Sequence, residues 1–313
     1  MSEKEIYIEW AEKMDLPLFF QPWWLDAVCC QGKTWNVILY RQNDTIKAAL
    51  VFQKMKKYGL TCFLLPELTP YLGCCFAKTI KTSEQQQISL HLLYQLTKQK
   101  PAILQLTCWS KEMAFQIQKE AKFNIQERIT YKIKDISNPN DLLFQFHHSK
   151  QRHIRKAQKS LQVDFSLSVE EFCKLHAYQY QLRGGTDKYA PPLLQKVCEE
   201  SIKHNQGKII AIKDKTNIHA AIFVAWDKHT AYNLLYFIHP QYRSSGASSL
   251  MVFEMLKYLH DKKISFDFEG SMQKNIASSY EKFATTPYHY YLLEKINSPI
   301  LKMIYYIRKK YYR

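Results

Sequence analysis

The sequence predicts an α/β protein with mixed α+β sheets, arranged as two tandem domains. Three observations predict it. Strand-like and helix-like runs alternate along the chain, as they do where helices cover a central sheet. The order of elements repeats in outline from the first half to the second. At 313 residues the chain also exceeds what one hydrophobic core ordinarily serves, so two cores are expected.

Taken in order, "MSEKEIYIEW" opens charged and amphipathic, without the apolar core of a secretory signal. Residues 36–66 hold three short strand-like runs, broken by turn signals at Asn43–Asp44 and Tyr58–Gly59. Residues 83–99 have helical period, with Ser83 as N-cap and Ile88, Leu92 and Leu96 along one side. "AILQLTCW" reads as a strand, "KEMAFQIQKEA" as a helix and "RITYKIKDI" as a strand, which completes a first domain over 1–140. Residues 138–162 read as one capped helix, so that 141–162 joins the domains.

The second domain, 163–298, begins with a helix at Ser168, where Glu171 gives a capping-box spacing. A second helix starts at Pro191–Pro192, since proline suits a first turn. Three strands follow, "GKIIAIKDK", "IHAAIFVAWD" and "AYNLLYFI"; then a helix over 245–261, the strand 264–270, the helix "NIASSYEKFA" and the strand "YHYYLLEKI". The end, 299–313, reads as a basic aromatic helix with Ile300, Ile304 and Ile307 on one side. It can pack against the protein or lie on an anionic membrane surface.

The net charge of +16 is uneven, +5 over 1–150 and +11 over 151–313, which points to an anionic partner. No stretch reaches the roughly 18–20 apolar residues needed to span a bilayer. The expected location is cytoplasmic, with the inner face of the membrane as a variant. The eight cysteines show no CxxC spacing, so buried thiols are expected and no metal site.

One turn concentrates the functional signal. Between the strand ending at Ile238 and the helix that follows stand Arg243, Ser244, Ser245, Gly246, Ala247 and Ser248. Free amides at a helix start attract anions, small residues allow close approach, and Arg243 adds a fixed charge. The same turn also serves plain strand-to-helix geometry. A second constellation lies in 264–295, where Asp267 and Glu269 alternate on a strand and so share a side. Two carboxylates there could take a proton from an attacking amine, or cap and bind without one. Tyr280 and Tyr189 could protonate a leaving group; His239 either titrates near neutrality or shapes the turn. In the basic helix, Arg152, Arg155, Lys156 and Lys159 share one face and Ile154, Ala157 and Leu161 another. That face is a phosphate-binding stripe or a solvated surface. Nothing nearby suggests a reader of duplex DNA.

The turn, as Arg-x-x-Gly-x-(small), resembles the acyl-CoA loop of the GNAT superfamily, with Ser248 where Gly or Ala is usual. The Asp-Phe-x-Gly-Ser and Tyr-x-Lys-Phe segments resemble the C-terminal part of FemABX-like, double-GNAT acyltransferases. "FFQPWWLDAV", "PELTPYLGCCF" and "SKQRHIRKAQKS" resemble that family's other motifs, so the likeness runs over nearly the whole chain. It implies two GNAT-like domains and an N-acyltransferase in cell-envelope or glycan biosynthesis. The donor implied is an acyl-CoA thioester, acetyl-CoA first, with pyrophosphate on 244–248; the acceptor is an amine. Strand 264–270, Ser271 and the basic helix would line the acceptor side. The family's other activity, aminoacyl-tRNA-dependent transfer to a peptidoglycan precursor, is the alternative, as is a non-catalytic binder of an anionic precursor.

Overall fold

The computed structural model describes residues 1–182, 189–270 and 272–304. The chain divides into two compact units: Met1–Arg128 together with the stretch from His289 onward, and Ile129–Tyr288.

In the first unit, α1 (Glu3–Glu12) is set by a Ser2–Glu5 capping box, and α2 (Pro22–Val28) starts on a proline. The hairpin of β1 (Thr34–Gln42) and β2 (Thr45–Lys57) closes on Asn43 and Asp44, both left-handed with φ of 49° and 57°. Those dihedrals match the twist of the flanking strands, and Asn and Asp tolerate them. Tyr58 and Gly59 make the same kind of turn into β3 (Leu60–Leu64). Strand β4 (Cys74–Phe76) pairs with β2 and escaped sequence reading, because three residues carry no usable alternation. Helix α3 (Thr82–Lys98) starts two residues earlier than expected: its cap is Lys81, whose amide donates to Glu84 Oε2 at 3.0 Å, and Ser83 lies inside the first turn. Strand β5 (Ile103–Cys108) and α4 (Lys111–Ala121) follow. One face of this sheet packs on Leu92, Leu96 and Ile117, the other on Tyr7 and Leu25.

Strand β6 (Asn124–Ile133) carries the chain from the first unit into the second. The expected single helix over 138–162 is instead two, α5 (Pro139–Gln145) and α6 (His148–Gln158). Phe146 breaks it by turning extended (ψ 149°) to bury its ring beside Phe283, and the His147 ring then caps α6 by accepting from the Ser149 amide at 3.2 Å. The basic helix therefore belongs to the second unit and not to a joining segment.

Then come β7 (Gln162–Asp164), α7 (Val169–Gln181) with its Ser168–Glu171 capping box, α8 (Pro191–Lys203), β8 (Gly207–Lys213), β9 (Ile218–Trp226), β10 (Thr230–Ile238), α9 (Ala247–Leu259), β11 (Ser265–Asp267), α10 (Lys274–Glu281) and β12 (Thr286–Ile296). The sheet of this unit runs β6-β11-β10-β9-β8-β7, with β10 and β11 parallel and the other neighbours antiparallel. Ile222 and Val224 pack with α6 and α9, whereas Phe223 faces Phe172 of α7. Covered on both faces, β9 is apolar apart from His219, which pairs with Asp214.

The last strand pairs back with β5, from Tyr291↔Cys108 to Ile296↔Ile103, so it completes the first unit rather than ending the second. A contiguous boundary at 298 could not anticipate that return. After β12 the chain turns helical at 299, where Leu301 packs with Cys62 and Ile103 while Ile300 stands 63% exposed. Of the expected stripe, Ile304 packs against the same cluster and Ile300 does not; Ile307 and the basic end lie outside the described residues. No helix among the described residues is long and apolar enough to cross a membrane.

Candidate functional site

Strands β10 and β11 pair only over Thr230–Tyr232, then β10 runs on to Ile238 beside β9. A bulge at Leu234, between the Asn233 and Leu235 pairs, re-aims the chain at this divergence. Asn233 is 7% exposed there, and its Oδ1 has no partner among the described residues.

Asp267 ends β11 fully buried. Its carboxylate accepts from Thr130 Oγ1, from Lys132 Nζ at 3.1 Å and from the Glu269 amide at 2.9 Å. Thr130 and Lys132 lie two residues apart on β6, which places both on one face. Their partnership with Asp267 was not expected. The strand stops at Asp267, so strand alternation does not bring Glu269 beside it. A turn does: Glu269 and Gly270 are both left-handed, with φ of 63° and 67°. A Cβ on Gly270 would lie 2.1 Å from the Ile129 carbonyl oxygen, so only glycine lets this turn press against β6. A non-glycine residue held left-handed stores strain of the kind that clusters at functional sites.

Glu269 Oε1 is enclosed and without a hydrogen-bond partner. Burial, then the neighbouring Asp267 charge, hold its carboxyl well above the usual range, with Lys132 opposing. Tyr280, on α10, rests on the Phe268 ring at 4.9 Å, and burial pushes its hydroxyl up, helped by Tyr236, Glu269 and Asp267. Asp267, Glu269 and Tyr280 are therefore one electrostatic cluster. Asp267 is occupied as its anchor, and Glu269 is the carboxyl able to hold a proton. Ser271 lies outside the described residues. Tyr189 sits just before α8.

The turn after β10 is more closed than the sequence suggests. Pro240–Ser245 form a 3-10 turn, His239 accepts from the Gln241 amide at 3.3 Å, and Gly246 takes φ 86°. A Cβ at Gly246 would lie 2.3 Å from the His153 carbonyl oxygen of α6. Glycine is therefore needed for contact with α6. The Ala247 amide is already capped by Ser245 Oγ at 3.2 Å, and Ala247 is buried. Lys156 Nζ donates to the Ser244 carbonyl at 2.9 Å. Along β10, Gln179 of α7 donates from Nε2 to the Tyr236 carbonyl at 2.7 Å and accepts from the Ile238 amide at 3.4 Å. Of the amides expected to cradle a diphosphate, that of Ala247 is met by the protein's own Ser245, and Gln179 bonds the edge of β10. His239 shapes the turn.

The α6 stripe matches its pattern: Ile154 and Ala157 are buried, while Arg152, Arg155, Lys156 and Lys159 are exposed. They line an open depression of about 690 Å³ with His147 and His148. Lys150 is the cation of α6 that turns inward. It lies over the Phe283 ring at 4.2 Å and donates to Ser279 Oγ at 3.0 Å; burial, with Lys282 adding, lowers its ammonium to about 8. Among the described residues no group of side chains is arranged to hold a metal ion.

A sheet that diverges at a bulge, an enclosed carboxyl and a strand-turn-helix at the carboxyl ends of parallel strands characterise this α/β unit. Residues 146–275 match the acetyltransferase (GNAT) domain family. No curated protein matches the chain. Among solved structures it is similar to FemX (12% identity, TM-score 0.72), over 96% of this chain and 98% of that one. It is similar also to L-PGS from Bacillus licheniformis (12%, TM-score 0.57, over 96% and 94%). A third is a tandem GNAT protein from the clavulanic acid biosynthesis pathway (8%, TM-score 0.55, over 88% and 94%). The fold is that of FemABX-like, tandem-GNAT proteins.

Proposed function

We propose that the protein transfers an acyl group to an amine from an ester carried on a polyanionic donor, an aminoacyl-tRNA, with chemistry at Glu269 and Tyr280 and the donor's phosphates on the basic face of α6. One observation carries the choice of donor. The Ala247 amide of the loop is capped by Ser245 Oγ and the edge of β10 is bonded by Gln179, whereas the Arg152–Lys159 face is open. Side chains on an open helix face suit a long phosphate backbone.

The amine attacks the ester carbonyl, a C–N bond forms, and the C–O bond to the ribose breaks. The ammonium proton must leave and the ribose oxygen must gain one. Glu269, whose carboxyl is held above its usual range by burial, is the group assigned to relay it, with Tyr280 beside it. Asp267 and Lys132 keep the Glu269 turn in place. The resemblance to cell-envelope enzymes makes a peptidoglycan or lipid precursor the acceptor class.

The acyl-CoA reading stands second, favoured by the match of 146–275 to an acetyltransferase domain. Thermal melts of the full chain separate the two. Aminoacyl-tRNA is expected to raise the melting temperature by several degrees and acetyl-CoA to leave it unchanged. A shift with acetyl-CoA and none with charged tRNA overturns the proposal.

A further inference from the structure

The first unit contains a cavity that the proposed reaction does not use. It has a volume of about 400 Å³ and lies between α3, α4, β4 and the end of β5, lined among others by Phe20, Leu93, Leu106, Met113, Ile117 and Leu293. Its thiols do not make it polar. Burial raises Cys74, Cys75 and Cys108 each to about 12, so all three are uncharged at neutral pH and behave as small hydrophobes. The charged residues on the wall, Lys78 and Asp15, pair with each other at 3.5 Å, with Lys78 75% exposed.

Within this apolar lining one polar group is unmet. Ser89 of α3 is 1% exposed, and its Oγ lacks a partner of ordinary hydrogen-bond geometry; the Cys74 thiol lies close enough to be eased slightly by it. A buried hydroxyl left unpaired is costly, so its place in the wall of a cavity points to an occupant with a complementary group. Trp109, 47% exposed, also lines the cavity, with its ring 4.5 Å from Tyr71 and 5.5 Å from Tyr290. An exposed tryptophan over buried aliphatic side chains suits an apolar ligand entering from solvent.

We infer that this cavity binds a mainly hydrocarbon ligand bearing one uncharged hydrogen-bonding group, such as the hydroxyl or carbonyl of an alcohol or acyl chain, with Ser89 as its polar contact. The site lies wholly in the first unit and does not depend on the donor assignment.

The test uses the full chain and N-phenyl-1-naphthylamine, an uncharged fluorophore with a single N–H. Saturable, one-to-one fluorescence enhancement is expected, reversed by 1-decanol. Leu106→Trp, which fills the cavity, should abolish it while the circular dichroism spectrum is kept. If that variant fails to fold, Met113→Trp, from a half-buried position on α4, takes its place. Ser89→Ala should weaken decanol about fivefold, the worth of one hydrogen bond, and leave decane unchanged. Binding that does not saturate, or that persists undiminished in a folded, filled variant, overturns the inference. Equal loss of decanol and decane in Ser89→Ala overturns the role given to Ser89.

Discussion

Lys132 Nζ lies 3.1 Å from Asp267 Oδ2, and the aspartate is wholly buried. Removing one partner strands the other charge, which typically costs about 3–5 kcal/mol, while removing both is far milder. Lys132→Met should therefore lose stability on that scale in urea unfolding. Adding Asp267→Asn should restore much of it. If the double variant is no more stable than the single, the ion pair is not what anchors the Glu269 turn.

Glu269 makes stability depend on pH in a definite direction. Its folded carboxyl is raised above the ordinary value of 4.5, so the folded state holds a proton that the unfolded state has released. The stabilisation is complete below about pH 4.5 and is lost as pH rises through the folded value. Glu269→Gln should thus raise the melting temperature more at pH 8 than at pH 4.5, and should abolish acyl transfer. Equal shifts at both pH values would show that the carboxyl titrates normally.

Gly246 and Gly270 should tolerate no side chain. At either position alanine meets a backbone carbonyl, of His153 or of Ile129, and must adopt positive φ. A loss of at least about 2 kcal/mol is expected for each from the left-handed cost and the clash. Chemical denaturation measures it, and a neutral Gly246→Ala would mean that the turn is not packed on α6 as described.

The basic face should reveal itself through salt. For charged tRNA, each of Arg152→Ala, Arg155→Ala and Lys159→Ala should lower the slope of log affinity against log salt by about 0.7–0.9 if it meets one phosphate. Lys156→Ala should additionally loosen the turn, since it releases the Ser244 carbonyl. Slopes unchanged in all four variants would leave the stripe as a solvated surface.

What the sequence disclosed follows the range of its signals. The Asn43–Asp44 turn, the Ser168–Glu171 cap and the α6 stripe are decided by neighbours a few residues apart, and all three take the expected form. Strands β4 and β7 are too short for alternation to register. The break at Phe146 depends on a ring finding Phe283, well over a hundred residues later. The site was half legible. Asp267, Glu269 and Tyr280 do gather, but through a left-handed turn that only Gly270 hinted at. Thr130 and Lys132 offered just an i, i+2 spacing on β6. The close approach of Gly246 to a carbonyl of α6 was not legible, because that partner is remote in sequence. Likewise, nothing about Gln179 in the sequence announces that it bonds the edge of β10.

The return of β12 to β5 governs how the protein can be made. While the chain emerges from the ribosome, Ile129–Tyr288 is delivered whole before the first unit receives its closing strand. Until then the edge of β5 awaits residues 291–296 with its ladder groups unpaired, a state prone to association with other chains. Premature termination near residue 288 should consequently yield a folded second unit tethered to an aggregation-prone first one.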